Sequence, residues 1–273
     1  MEEKLKKLKE YLEKLKKVVV AYSGGVDSTF LLKVASDTLG KENVLAVIGV
    51  SPTYTEKERE FAEKFCKDNG IKYIEIETDE FKDDNFINNP PDRCFWCKKE
   101  LFGKIEEIRK KLNFEYIIDG ANKDDERDFR PGESAKKIYN VFSPLKECGF
   151  TKKDIRKFSK KLNLPTWNKP QMACLASRIP YGEKITEERL KKIEEGENFL
   201  YSLGFKIVRI RDYNEIARIE VDKDEIEKLI KLKDKIVKKL KEIGYKYITV
   251  DLEGYRTGSM NESIPKPDIL LKP

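Results

Sequence analysis

The sequence predicts an α/β fold, a parallel doubly wound sheet, followed by a smaller C-terminal α+β domain. Three observations lead there. Runs such as KVVVAY (17–22) and VLAVIGV (44–50) are apolar along their whole length, as strands covered on both faces must be. Helical stretches separate these runs, and strand–helix alternation builds right-handed βαβ units. Beyond residue 165 the alternation stops, and short strands follow one long helix.

The elements follow in order. Leu5, Leu8, Leu12 and Leu15 share one face of a first helix, so that face packs on what comes next. KVVVAY is the first strand, followed by a Gly-rich turn and the apolar helix STFLLKVASDTLG. VLAVIGV is the second strand, TEKEREFAEKFCKDNG (55–70) a helix, KYIEI (72–76) a strand, 92–112 a helix and EYIID (115–119) a strand. PTWNKPQMACLASRIPYG, rich in Pro, Trp and Cys, leads to a helix holding Leu190, Ile193, Leu200 and Leu203. KIVRI and IARIEV are short strands, one helix carries Ile226, Leu229, Ile230, Ile236, Val237 and Leu240, and KYITV is the last strand. From Leu252 onward the chain reads as irregular. The expected domains are therefore 1–165 and 183–273, joined by a cysteine-bearing linker at 166–182.

Composition narrows the function. Lys+Arg 56 against Asp+Glu 50 gives only +6 although 39% of residues are charged, which reads as an ion-pair-laced surface. No basic stripe is interleaved with aromatics, and this argues against a nucleic-acid partner. With no histidine, imidazole bases and ligands are excluded. No run approaches the ~20 apolar residues of a membrane span, and the Lys-rich start lacks the apolar core of a secretory signal. The chain reads as cytoplasmic, with no membrane partner. Five cysteines are an odd number, and an intracellular setting disfavours a disulfide framework.

AYSGGVDSTF places Ser23, Gly24, Gly25, Val26, Asp27 and Ser28 between the first strand and its helix. Glycines let backbone approach a ligand, while turn amides and the positive helix end attract phosphate oxygens. Ser23 and Ser28 add hydroxyls. The loop lacks the G-x-x-x-x-G-K-[ST] of a Walker A motif. S-G-G-x-D-S in this setting resembles the pyrophosphate loop of the N-type ATP pyrophosphatases, with their adenine nucleotide alpha hydrolase-like fold. Those enzymes adenylate a substrate and release pyrophosphate. Asp27 suits Mg²⁺ held beside a phosphate. IIDGANKDDERD sets Gly120, Asn122 and Asp124 at a strand's carboxyl end, where ligands of such sheets bind. Alone it could be an Asp-rich turn; beside the loop it resembles the second ATP-contacting segment.

Cys94 and Cys97 form a C-x-x-C within NPPDRCFWCKKELF. A structural zinc site, a redox pair and an iron–sulfur cluster each need more than that pair. Cys174, in KPQMACLASRIPYG, has Ser177 and Arg178 nearby and reads either as a small buried residue or as a reactive thiolate. These segments, with S-G-G-V-D-S, DGANKDDERD and SPLKECGFTKKDIRK in this order, resemble the LarE-type sulfur transferases of nickel-pincer nucleotide biosynthesis. The resemblance covers nearly the whole chain, RIRD and ARIEV included.

It implies that ATP adenylates a carboxylate of pyridinium-3,5-biscarboxylic acid mononucleotide, a nicotinate-derived mononucleotide, and that sulfur replaces the activated oxygen. One subgroup sacrifices the sulfur of a cysteine matching Cys174. The other carries sulfide on a [4Fe-4S] cluster held by three cysteines, and Cys94, Cys97 and Cys174 match all three. The implied cofactors are then ATP, Mg²⁺ and [4Fe-4S], with an external sulfide or sulfur donor and a trimeric or hexameric homo-oligomer. Three thiolates make a poor closed zinc site but leave one iron of a cubane open. Cys66 and Cys148 read as structural.

In KIVRIRDYNEIARIEV, alternation sets Arg209 and Arg211 on one strand face, and in the partner strand Arg218 and Glu220 share a face opposite Ala217, Ile219 and Val221. Such a face is either solvated ion pairing or a bidentate grip on phosphate and carboxylate. The resemblance places Arg209, Arg211, Glu197 and Glu220 in the substrate region, with Ser177 and Arg178 as neighbours of the cysteine. Trp96 is either a stacking partner for a pyridinium ring or a core residue. The rival readings are tRNA thiolation within the same superfamily, an amide-forming ligase, and an ATP sensor with structural zinc.

Overall fold

The computed structural model describes residues 2–127, 131–170 and 173–263. Gln171 and Met172 of the Cys174 motif, Asp128 of DGANKDDERD and the tail from 264 lie outside the described residues. The chain divides into two compact units, Met1–Phe86 with Asp92–Ala173, and Ile87–Pro91 with Cys174–Pro273.

The first unit runs α1 (Glu2–Leu15), β1 (Val18–Ala21), α2 (Val26–Leu39), β2 (Val44–Val50), α3 (Glu56–Asn69) and β3 (Lys72–Glu77). It continues through α4 (Asp84–Ile87), α5 (Arg93–Lys111), β4 (Tyr116–Ile118), α6 (Gly132–Ile138), β5 (Val141–Phe142), α7 (Pro144–Glu147) and α8 (Lys152–Lys161). Its five strands lie in the order β3-β2-β1-β4-β5, all parallel. The sheet is thus the doubly wound one expected.

Strand period explains how both faces are covered. Val18 and Val20 join Phe30, Leu31, Phe65, Phe150 and Phe158 on one side, while Val19 faces Phe102, Ile105 and Ala135 on the other. A side chain buried as fully as Phe30 contributes about 1.5–3 kcal/mol. The leucine face of α1 enters the first of these clusters, with Leu8 and Leu12 wholly buried. Thr151 and Asp154 start α8 with a reciprocal capping box, which satisfies two otherwise orphaned helix-end donors. β2 and β3 lie to one side of β1 and β4 to the other, so the strand order reverses between β1 and β4. A ligand site is expected beyond the carboxyl ends of those two strands.

The second unit contains α9 (Glu187–Ser202), β6 (Val208–Tyr213), β7 (Ile216–Val221), α10 (Ile226–Lys231), α11 (Lys233–Ile243) and β8 (Tyr247–Val250). β6 and β7 form an antiparallel hairpin, and β8 pairs parallel to β7. Val208, Ile210, Ala217, Ile219 and Val221 meet Leu200, Leu229, Ile236 and Leu240 in one core. The single helix expected over 226–240 is two. At Leu232 the backbone leaves the helical region (φ −99°, ψ 10°), so Leu229 and Ile236 both reach the core while Ile230 stays half exposed.

Residues 87–91, not read separately in the sequence, belong to this second unit. Asn89 is fully buried with a positive φ of 53°. Its side-chain amide donates to the carbonyls of Ile179 (3.2 Å) and Pro180 (2.7 Å), and its own carbonyl accepts from the Gly182 N–H.

Candidate active site

The loop after β1 is built as the sequence requires. Gly24 takes a positive φ of 63°, and Gly25 caps α2. The Ser23 and Ser28 hydroxyls meet at 3.1 Å, and the exposed Ser23 lends its carbonyl to the Tyr54 hydroxyl at 3.0 Å. Val26 is buried, so it contributes backbone alone to the loop. Gly120, at the end of β4, lies against the start of α2: a Cβ there would stand 2.8 Å from the Ser28 nitrogen. Glycine is what allows the β4 end and the loop to meet at the point where strand order reverses.

Asp27 is the chemical centre of this region. Its Oδ2 accepts from the Asn122 amide at 3.3 Å and pairs with the Lys152 ammonium. Its Oδ1 is buried and has no hydrogen-bond partner. A buried acceptor without a donor costs about 1–3 kcal/mol, and a divalent cation would relieve that cost. Mg²⁺ with a polyphosphate therefore suits this donor set. Asn122 is itself buried and turns the chain by accepting from the Asp124 N–H at 2.9 Å. Asp124 bonds to a different segment. It is exposed and accepts from the Lys152 N–H at 2.8 Å, so it fixes the start of α8.

Two lysines beside the loop were not singled out in the sequence. Lys152 pairs with Asp27, and Lys169 reaches the Gly24 carbonyl at 3.1 Å and Glu58 at 2.7 Å. Both lie inside segments that carry the family resemblance, which is the signal that could have found them. Their ammonium groups place positive charge where phosphate oxygens would come.

Cys94 and Cys97 lie one turn apart at the start of α5, Cys94 exposed and Cys97 half-buried. Trp96 between them is half-buried, edge-on to Phe95 at 5.1 Å, with the Lys99 ammonium 5.3 Å from its ring centre. Neither cysteine forms a disulfide. Cys66 and Cys148 are buried, and burial pushes the Cys66 thiol up to about 12. Among the described residues, no group of three His, Cys, Asp or Glu side chains is placed to hold a metal ion. In kind, thiols are the usual ligands of iron–sulfur clusters, and none of Cys94, Cys97 and Cys174 is buried.

In the second unit, Cys174 is exposed and precedes the short turn Leu175–Arg178. The Arg178 guanidinium meets both oxygens of Glu197 at 2.9 Å and donates to the Cys174 carbonyl at 3.0 Å and the Ser177 hydroxyl at 3.1 Å. Burial opposes the charge on Arg178, but Glu197 outweighs it and the pKa moves up. Arg211 forks onto Glu220 at 2.9 and 2.7 Å and donates to the Ser177 carbonyl at 3.0 Å. Arg209 packs over the Tyr255 ring at 5.1 Å.

The pairing of Arg209 with Glu220 and Arg211 with Arg218 follows the expected alternation. This face is not a solvated one: Arg209, Arg211 and Glu220 are all nearly inaccessible. The turn after Cys174 and the segment around Tyr255 and Ser259 meet it.

A five-stranded parallel sheet with this loop at its reversal point defines a pyrophosphate-loop, ATP-utilising enzyme. The family model described as NAD synthase matches residues 1–89. The chain is 36% identical to the pyridinium-3,5-bisthiocarboxylic acid mononucleotide synthase of Lactiplantibacillus plantarum, over 94% of each protein. It is 39% identical to an uncharacterized protein of a Synechocystis strain, over 97% of this chain and 100% of that one. A tRNA-specific 2-thiouridylase of Thermoanaerobacter is 28% identical over 68% of this chain and 62% of its own length. The chain belongs to the LarE-type family of ATP-dependent sulfur transferases. Among the described residues no helix is long and apolar enough to cross a membrane.

Proposed function

We propose that this enzyme adenylates a carboxylate of pyridinium-3,5-biscarboxylic acid mononucleotide and converts it to a thiocarboxylate. The observation that carries the nucleotide half is the buried, unpartnered Oδ1 of Asp27 beside two lysines and a helix start. In the first step a substrate carboxylate oxygen attacks the α-phosphorus of ATP, the α–β phosphoanhydride bond breaks, and pyrophosphate leaves. Ser23, Gly24, Gly25, Val26, Ser28, Gly120 and Asn122 line the nucleotide, Asp27 holds Mg²⁺, and Lys152 and Lys169 offset charge on the leaving group. In the second step hydrosulfide attacks the acyl carbon, a C–S bond forms, the C–O bond to AMP breaks, and a proton is released.

Cys94, Cys97 and Cys174 would hold a [4Fe-4S] cluster, which supplies the sulfur nucleophile when bound and is refilled by an external sulfide or sulfur donor. We assign the mononucleotide to Arg209, Arg211, Glu220, Ser177 and Trp96, with Arg178 and Glu197 supporting the turn after Cys174. Arginine suits its phosphate and carboxylates because the planar fork matches both bidentately.

The test has two parts. Pyrophosphate release should require ATP, Mg²⁺ and the dicarboxylate mononucleotide together; release stimulated by tRNA instead would move the reading to tRNA thiolation. Protein handled without oxygen should hold about four irons and at least as many acid-labile sulfides per chain, lost in Cys174→Ala. An iron-free chain that still makes one thiocarboxylate per Cys174 would replace the cluster with a sacrificed cysteine sulfur.

A further inference from the structure

The turn that follows Cys174 is gripped by its own side chains, and the grip can be traced back to the sheet. Gly196 lets α9 come close to β6: a Cβ there would stand 2.6 Å from Ile210 Cδ1. Its neighbour Glu197 thereby reaches the Ile210 N–H at 3.0 Å. Both Glu197 oxygens hold Arg178, and Arg178 in turn holds the Cys174 carbonyl. That carbonyl also accepts from the Ser177 N–H at 3.0 Å. Arg178 is 0% exposed and Glu197 3%, so a substrate oxygen could reach this guanidinium only by displacing groups the protein already supplies.

We propose that Arg178, clamped by Glu197, is a positioning residue that fixes the Cys174 peptide and so presents its thiol, and is not itself a substrate contact. The role rests on the reading that Cys174 carries or ligates the transferred sulfur. Arg211 differs in kind. It also bonds the turn, at Ser177, but lies on the strand face with Arg209, the face that the functional reading gives to the mononucleotide. Lysine at 178 would keep the charge but lose the fork that spans Glu197 and the Cys174 carbonyl together.

The experiment compares Arg178→Lys and Glu197→Gln with the wild-type full chain, purified without added metal or nucleotide. Amide hydrogen exchange over 174–179 and the rate of Cys174 alkylation by iodoacetamide are followed by peptide mass. At least tenfold faster exchange in the turn is expected in both variants, with an alkylation rate changed severalfold and with α9 and β6 as protected as in the wild type. Exchange and alkylation within twofold of wild type in both variants would overturn the proposal. Equal loosening of the turn, α9 and β6, or loss of the fold in both variants, would also overturn it and make the pair an ordinary core element. Neither readout uses ATP or sulfur transfer, so a chain that never released pyrophosphate would fail the functional reading and leave this test standing.

Discussion

Two charged clusters, one in each unit, are finished to different degrees. At the nucleotide loop, Asp27 keeps one buried oxygen without a partner. In the second unit, Arg178 and Glu197 are more deeply buried, yet their pair is bidentate. An acceptor left short is a place for an incoming cation, whereas a saturated fork holds the chain to itself. The contrast teaches that burial of charge alone does not mark a ligand contact.

The sharpest way to break this comparison is at Glu197. Alanine there would strand a fully buried guanidinium, and breaking such a pair costs about 3–5 kcal/mol. The urea midpoint should fall accordingly, while a paired Arg178→Met and Glu197→Leu variant recovers most of it. Asp27→Asn should do the reverse. Pyrophosphate release is expected to drop about a hundredfold, ~2.7 kcal/mol of transition-state stabilisation, with little change in the urea midpoint. Unchanged release would remove Asp27 from the metal site.

Between these lies Gly120→Ala. Its Cβ would press on the Ser28 nitrogen at 2.8 Å, and overpacking of this kind costs about 1–3 kcal/mol. Thermal denaturation and ATP affinity should both weaken; a loss of stability with full ATP affinity would mean that the loop does not touch the nucleotide. The smallest effect is expected at Asp154, whose carboxyl is held down to about 2 chiefly by the Lys4 ammonium, aided by its Thr151 partners. A folded value below the unfolded one, about 3.9, stabilises the fold above roughly pH 4 and loses that effect as pH falls toward 2. Asp154→Asn should cost about 1 kcal/mol at neutral pH, as lost helix caps do, and the gap in urea midpoint should close on acidification.

Much of this was readable in the chain because the residues concerned are of rare type or strict period. Val18, Val19 and Val20 announce a strand covered on both faces, and the loop from Ser23 to Ser28 needs its glycines and its acid in one place. Alternation alone put Arg209 and Arg211 on one face, but could not say that the Cys174 turn would close over it. Lys152 and Lys169 were hidden by abundance, since a chain with 56 Lys and Arg gives no reason to pick two. The break at Leu232 escaped because Ile226 to Leu240 keeps a helical period through it, and periodicity does not register one residue leaving the helical region. Pairing of Asn89 with Ile179 and Pro180 spans some ninety residues, beyond any local pattern.

That pairing decides how the molecule can be taken apart. Because residues 87–91 count with the second unit while both flanks count with the first, no single cut yields two whole pieces. A fragment ending at 173 would carry Asn89 without its carbonyl partners, and one beginning at 174 would lack the amide that satisfies Ile179 and Pro180. Expression of the halves as separate genes should therefore give pieces that recover when mixed, not independent folds.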